Sequence, residues 1–123
     1  MPDSKPLSGR SVLILEDDYY LAEDAKAVLE SAGATVIGPF HAAASALDAA
    51  RNGEPDCAVV DINLGGGPNF APAEGLLGMG VPVVFITGYD DEVIPEALSH
   101  VPCLQKPTQP HRIIAAVQQT CAV

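Results

Sequence analysis

Apolar positions along the chain fall into short continuous runs separated by segments of helical spacing, and the alternation is regular from Ser11 onward. The run "SVLIL" (11–15) has the length and composition of a strand covered on both faces. Behind it, Leu21, Ala25, Val28, Leu29 and Ala32 recur at i, i+4, i+7, i+8 and i+11, with Gly33 after them. That spacing predicts an amphipathic helix ending at a glycine stop. "ATVIG" predicts a second strand, and "HAAASALDAARNG" an alanine-rich helix with Leu47 and Ala50 on one face and Gly53 past its end. "CAVVDI" is the third strand. The next stretch, "NLGGGPNFAPAEGLLGMG", is broken by glycine and proline, which confines any helix to about residues 72–79. "VPVVFI" is strand four. Within "DDEVIPEALSH", Pro95 restricts the helix to a short one or one that begins near the proline. "VPCL" is a weak fifth strand, and "TQPHRIIAAVQQTCA" a closing helix with Thr108 as its N-cap.

Alternating units of this kind imply a doubly wound α/β fold, with five parallel strands, right-handed crossovers and helices on both faces. At 123 residues and 48% hydrophobic content the chain holds one core. The polar start "MPDSKPLSGR" reads as a mobile leader over 1–10, leaving 11–123 as the domain.

Charge narrows the partners. Sixteen acids stand against six bases, a formal net charge of -10, and the bases are scattered. A nucleic-acid partner is therefore not expected. No apolar segment approaches the roughly 20 residues of a membrane helix, so no membrane partner is expected either. Cys57, Cys103 and Cys121 are odd in number and lack C-x-x-C spacing, which fits a reduced cytoplasmic setting. His41, His100 and His111 have no ligand or catalytic spacing. Gly65 to Gly67 lack the lysine and hydroxyl of a phosphate-binding P-loop, and read as a flexible loop.

Ligands of doubly wound sheets sit beyond the carboxyl ends of the strands. Strand one ends in Glu16, Asp17 and Asp18, strand three in Asp61, and strand four in Thr87 and Gly88. Strand five leads into Lys106 and Pro107. Carboxylates a few ångströms apart repel, so such a cluster either protonates or holds a cation, and an all-oxygen site suits Mg²⁺. Asp18 is also placed to cap the following helix.

With "LILEDD", "VVDINL", "FITGY" and "LQKP" in this order, the chain from about Ser11 to Val123 resembles the receiver domain of bacterial two-component response regulators. The resemblance implies a flavodoxin-like receiver fold with strand order 2-1-3-4-5, and Asp61 as acceptor of a phosphoryl group from a phosphohistidine. It implies Mg²⁺ held by Asp17, Asp61 and the backbone carbonyl of Asn63, with Glu16 acting mostly through water. Thr87, Gly88 and Lys106 would bind phosphoryl oxygens, and the Lys106–Pro107 peptide would be cis. The partners implied are a histidine kinase or histidine phosphotransfer protein and an unidentified downstream protein. The chain would thus be a signalling protein that catalyses only its own phosphorylation and dephosphorylation.

The glycine-rich segment followed by "PVVFITGY" resembles the Phe-Ala-Thr-Gly-Tyr type of single-domain regulator, with Ile86 in place of the alanine. Two departures matter more. Gly65 stands where a proline commonly follows the acceptor, and Cys103 stands where strand five usually carries the aromatic switch. The switch is therefore placed at Tyr89 and residues 90–99, since Gly88 joins Thr87 to Tyr89 and Pro95 weakens the next helix. Two other readings stay open. A Mg²⁺-dependent aspartyl-phosphate phosphohydrolase needs a second aspartate where Asn63 stands, and a scaffold that never cycles phosphate would not need the acid cluster.

Overall fold

The structure, a computed structural model, describes residues 5–63, 67–88, 94–106 and 108–121. Five strands, β1 (Ser11–Leu15), β2 (Thr35–Phe40), β3 (Cys57–Asp61), β4 (Val83–Thr87) and β5 (Cys103–Gln105), form one parallel sheet of order β2-β1-β3-β4-β5. Among the described residues four α-helices cover it: α1 (Tyr19–Ser31), α2 (Ala43–Gly53), α3 (Ala71–Gly78) and α4 (Pro110–Thr120). This is the flavodoxin-like order that the resemblance implied.

Alternation along the strands divides the core in two, because successive side chains point to opposite faces. Leu13, Leu15, Ala58, Val60 and Phe85 pack with Ala46 and Ala50 of α2 and Ala73 and Leu76 of α3. Val12, Ile14, Val59 and Ile86 pack with Ala25 and Leu29 of α1 and Ile113 and Val117 of α4. All five residues of β3 and of β4 are buried, as continuous apolar runs require.

The inner face of α1 differs from the spacing read from Leu21. Ala22, Ala25 and Leu29 are its buried residues, and Leu21 keeps 39% of its surface. Ala22 is fully buried, while Leu21 lines a cavity bounded by Glu16, Asp61 and Lys106. Asp18 caps α1 as expected, its carboxylate accepting from Leu21 N–H at 3.0 Å.

Two other expectations are corrected. Residues 5–10, read as part of a mobile leader, dock on the α1 side of the domain. Leu7 is fully buried, its N–H donates to the Ala32 carbonyl at 2.8 Å, and its carbonyl accepts from Arg10 N–H at 3.0 Å. Gly33 makes room for this contact, since at its φ of +101° a Cβ would lie 2.9 Å from both Lys5 Cβ and Ser8 Oγ. Thr108 does not cap α4. Its hydroxyl donates to the Gln105 carbonyl at 2.8 Å, Gln109 takes the cap position, and Pro110 opens the helix where no amide donor is needed.

Between β4 and β5 the described chain holds only a 3₁₀ turn, Glu96–Leu98, directly after Pro95. That agrees with the short helix expected there. Gly65, Tyr89 and Pro107 lie outside the described residues, and with them the proline departure, the proposed switch and the expected cis peptide.

Candidate functional site

The parallel register places the ends of β1, β3 and β4 side by side. Leu15 pairs with Val60, and Asp61 with Ile86, so Glu16, Asp61 and Thr87 stand at one edge of the sheet. Glu16 is held by its backbone, its N–H donating to the Phe40 carbonyl at 2.9 Å and its carbonyl accepting from His41 Nδ1 at 2.8 Å. Its side chain is turned inward and is 5% exposed, and one carboxylate oxygen accepts from Asp18 N–H at 3.2 Å.

Asp61 is 2% exposed, and its Oδ1 accepts from Asn63 N–H at 3.0 Å. Asn63 in turn accepts Gly67 N–H on its side-chain oxygen at 3.2 Å, where Gly67 takes a φ of +95°. A bridge between Asn63 and Pro68 turns the loop back on the strand end. The glycine-rich segment is therefore tied down at its described end.

Lys106 reaches the cluster from the end of β5, its N–H donating to the Thr87 carbonyl at 2.8 Å. Its Nζ lies 3.1 Å from Asp61 Oδ2 and 3.1 Å from Glu16 Oε1. Thr87 is fully buried beside this group, and Gly88 is exposed, with nothing within 4 Å of where a Cβ would stand.

Burial, together with the hydrogen bond and charge of Asp61, pushes Glu16 up from 4.5 to about 8 against the opposing pull of Asp18 N–H and Lys106. Burial alone would lower Lys106, but the hydrogen bonds and charges of Glu16 and Asp61 outweigh it and raise the ammonium above its ordinary value. Lys106 therefore carries its charge at neutral pH.

Glu16, Asp17 and Asp61 each bring a carboxylate oxygen within 4.8 Å of the others. Three hard oxygen donors, one of them on the exposed Asp17, fit a Mg²⁺ ion that keeps part of its water shell. Lys106 offsets part of the repulsion among them through its contacts with Glu16 and Asp61.

Sequence reasoning did not foresee the part played by His41. Though it has no ligand or catalytic spacing, it holds the Glu16 carbonyl, and the ring of Tyr19 stacks on it with centroids 6.3 Å apart. No spacing could have announced a contact between a loop after β2 and the end of β1.

A family model described as the response regulator receiver domain matches residues 12–118. The phyllosphere-induced regulator PhyR of Methylorubrum extorquens is 31% identical over 112 residues, covering 88% of this chain and 42% of that protein. The chain thus spans less than half the length of that relative. Among solved structures, the signal receiver domain of a modulated diguanylate cyclase from Desulfovibrio desulfuricans superposes with a TM-score of 0.81 at 30% identity, covering 92% of this chain and 94% of that one. The response regulator PhyR from Brucella abortus superposes with a TM-score of 0.78 at 25% identity, covering 97% of this chain and 50% of that one.

Proposed function

The chain belongs to the response regulator receiver domain family, and on that footing we propose that it is a phosphorylation switch whose acceptor is Asp61. The observation that carries the reading is the convergence of Lys106, Asp61 and Glu16 within 3.1 Å contacts, with Asp17 alongside, at the carboxyl edge of the sheet.

In the proposed reaction a carboxylate oxygen of Asp61 attacks the phosphorus of a phosphohistidine in line with the leaving nitrogen. The O–P bond forms as the P–N bond breaks, and the imidazole leaves. Such transfer asks the protein for position and for neutralisation of the equatorial oxygens, and for little covalent chemistry of its own. Lys106 supplies a positive charge already within reach of the acceptor. The Thr87 hydroxyl and the open backbone at Gly88 supply further contacts for phosphoryl oxygens. Asn63 N–H fixes one oxygen of Asp61 and so orients the other. Mg²⁺, held by Asp17, Asp61 and the Asn63 carbonyl, with Glu16 acting mostly through water, would neutralise phosphoryl charge and lower the cost of bringing anions together.

The proposed donor is a histidine kinase or a histidine phosphotransfer protein, and the output is the affinity for a downstream protein. Tyr89 remains the proposed relay, following Thr87 and Gly88 directly in the chain. A cytoplasmic setting belongs to the same proposal. It is supported by three cysteines with no disulfide among the described residues, where no helix is long and apolar enough to cross a membrane. An aspartyl-phosphate phosphohydrolase is disfavoured because Asn63 is an amide whose oxygen is committed to Gly67 N–H, and so provides no acid-base group.

A phosphotransfer profile tests the proposal. Radiolabelled histidine kinases mixed with the chain and Mg²⁺ should pass label to it quickly in the cognate pair. Multiple turnover of a small phosphate ester, with no stable labelled protein, would favour the hydrolase instead.

A further inference from the structure

Both backbone polar groups of Glu16 are held by the segment that ends β2. Its N–H donates to the Phe40 carbonyl at 2.9 Å, and its carbonyl accepts from His41 Nδ1 at 2.8 Å. A carbonyl can only accept, so Nδ1 carries the proton. The ring of Tyr19 stacks on the imidazole, with centroids 6.3 Å apart and planes inclined by 28°. The proposed phosphoryl chemistry makes no use of this histidine.

We propose that His41 is a positioning residue for Mg²⁺, acting through the peptide that joins Glu16 to Asp17. The inference rests on the reading of Asp17 and Asp61 as metal ligands given above. The carbonyl that His41 holds and the nitrogen of Asp17 belong to one planar peptide group. Fixing that plane fixes the direction in which the chain enters Asp17.

Asp17 depends on such support. Among the described residues no hydrogen bond or ion pair holds its carboxylate, which nonetheless brings an oxygen within 4.8 Å of those of Glu16 and Asp61. Its two neighbours in the chain are both anchored. Glu16 is held by Phe40 and His41, while Asp18 donates its N–H to Glu16 Oε2 at 3.2 Å and caps α1. Outer groups that orient ligands in this way commonly set the affinity of a metal site.

The register of the sheet explains why the histidine reaches that carbonyl. Leu13 pairs with Ile37 but Leu15 with Phe40, so β2 carries one more residue than β1 across this step. The extra residue brings His41 abreast of Glu16, where a regular ladder would place Phe40. Gly38 lies within the irregular stretch at a φ of +102°, and a Cβ there would stand 2.8 Å from Phe40 N.

The test compares the parent chain with His41→Leu, which removes the donor, and His41→Asn, whose amide N–H restores one. His41 is exposed, so neither change opens the core. Melting temperature is followed across a Mg²⁺ series at constant ionic strength, which reads metal binding by linkage without any phosphoryl transfer. The Mg²⁺ concentration at half-effect should rise roughly 2- to 10-fold in His41→Leu, the span of one hydrogen bond, and stay near the parent value in His41→Asn. Labelling by acetyl phosphate should follow the same split, with the deficit of His41→Leu largest at low Mg²⁺ and recovered as Mg²⁺ approaches saturation. A merely structural role would lower the metal-free melting temperature and leave the Mg²⁺ midpoint where it is. An unchanged midpoint in His41→Leu, or an equal shift in His41→Asn, would overturn the proposal while leaving the metal site standing. A parent chain that responds to Mg²⁺ no more than to matched NaCl would overturn the metal site and this proposal together.

Discussion

Lys106 Nζ lies 3.1 Å from Asp61 Oδ2 while keeping an equal 3.1 Å contact with Glu16 Oε1, so one ammonium from the end of β5 holds two carboxylates from the ends of β3 and β1. Removing it leaves the two acids facing each other. For metal-free protein, Lys106→Met should lower stability by up to ~3 kcal/mol, the low end for breaking a buried pair, since the lysine side chain keeps 24% exposure. The loss should be larger at pH 8 than at pH 6, because a proton on Glu16 relieves the repulsion. Urea denaturation at the two pH values measures it, and an equal loss at both would count against the pairing.

Glu16 gives the metal-free protein a pH dependence of definite sign. Its carboxyl is raised to about 8 in the fold, from 4.5, so the folded chain holds that proton more tightly than the unfolded chain. The resulting stability is full below about pH 4.5 and is lost as pH rises through about 8. Glu16→Gln should flatten the profile in that window. Denaturation midpoints across it decide the point, and an unchanged slope in Glu16→Gln would assign the dependence to another group.

A bound divalent ion acts by linkage and a monovalent salt mainly by screening. Mg²⁺ should therefore raise the melting temperature more than NaCl of matched ionic strength. Asp17→Asn should remove most of the difference, because Asp17 is the exposed member of the carboxylate group. Equal shifts from Mg²⁺ and NaCl would exclude a specific site.

Leu7 belongs to the core by burial, though it precedes the first strand. Leu7→Ala should cost about 2–4 kcal/mol, as for other buried leucines. Chemical denaturation reads the loss directly, and a change below about 0.5 kcal/mol, the range of surface substitutions, would return these residues to the status of a leader.

Most of the fold was legible because its central strands are unbroken apolar runs, "VLIL", "CAVV" and "VVFI", each ending abruptly on a polar residue. The placement of Glu16, Asp17, Asp61, Thr87 and Lys106 at one edge followed from that punctuation and the parallel topology. What escaped the sequence was decided by tertiary contact. Alanine carries little periodic signal, so the choice of Ala22 over Leu21 for the α1 interior could not be read from spacing. Leu7 sits between Pro6 and Ser8 with no apolar period around it, and only its tertiary packing in the α1-side core, with its N–H on the Ala32 carbonyl, gives it a place. Thr108 is a good capping residue locally, but Pro110 fixes the start of α4, and the hydroxyl turns back to Gln105.

Phosphorylation of Asp61 is the central claim, and intact-mass spectrometry after incubation with acetyl phosphate and Mg²⁺ tests it most directly. The chain should gain one phosphoryl group that is lost on mild base or hydroxylamine treatment, as acyl phosphates are, while Asp61→Asn under the same conditions gains none. Undiminished labelling of Asp61→Asn, or no labelling of the parent chain with donor and Mg²⁺ in excess, would contradict the assignment.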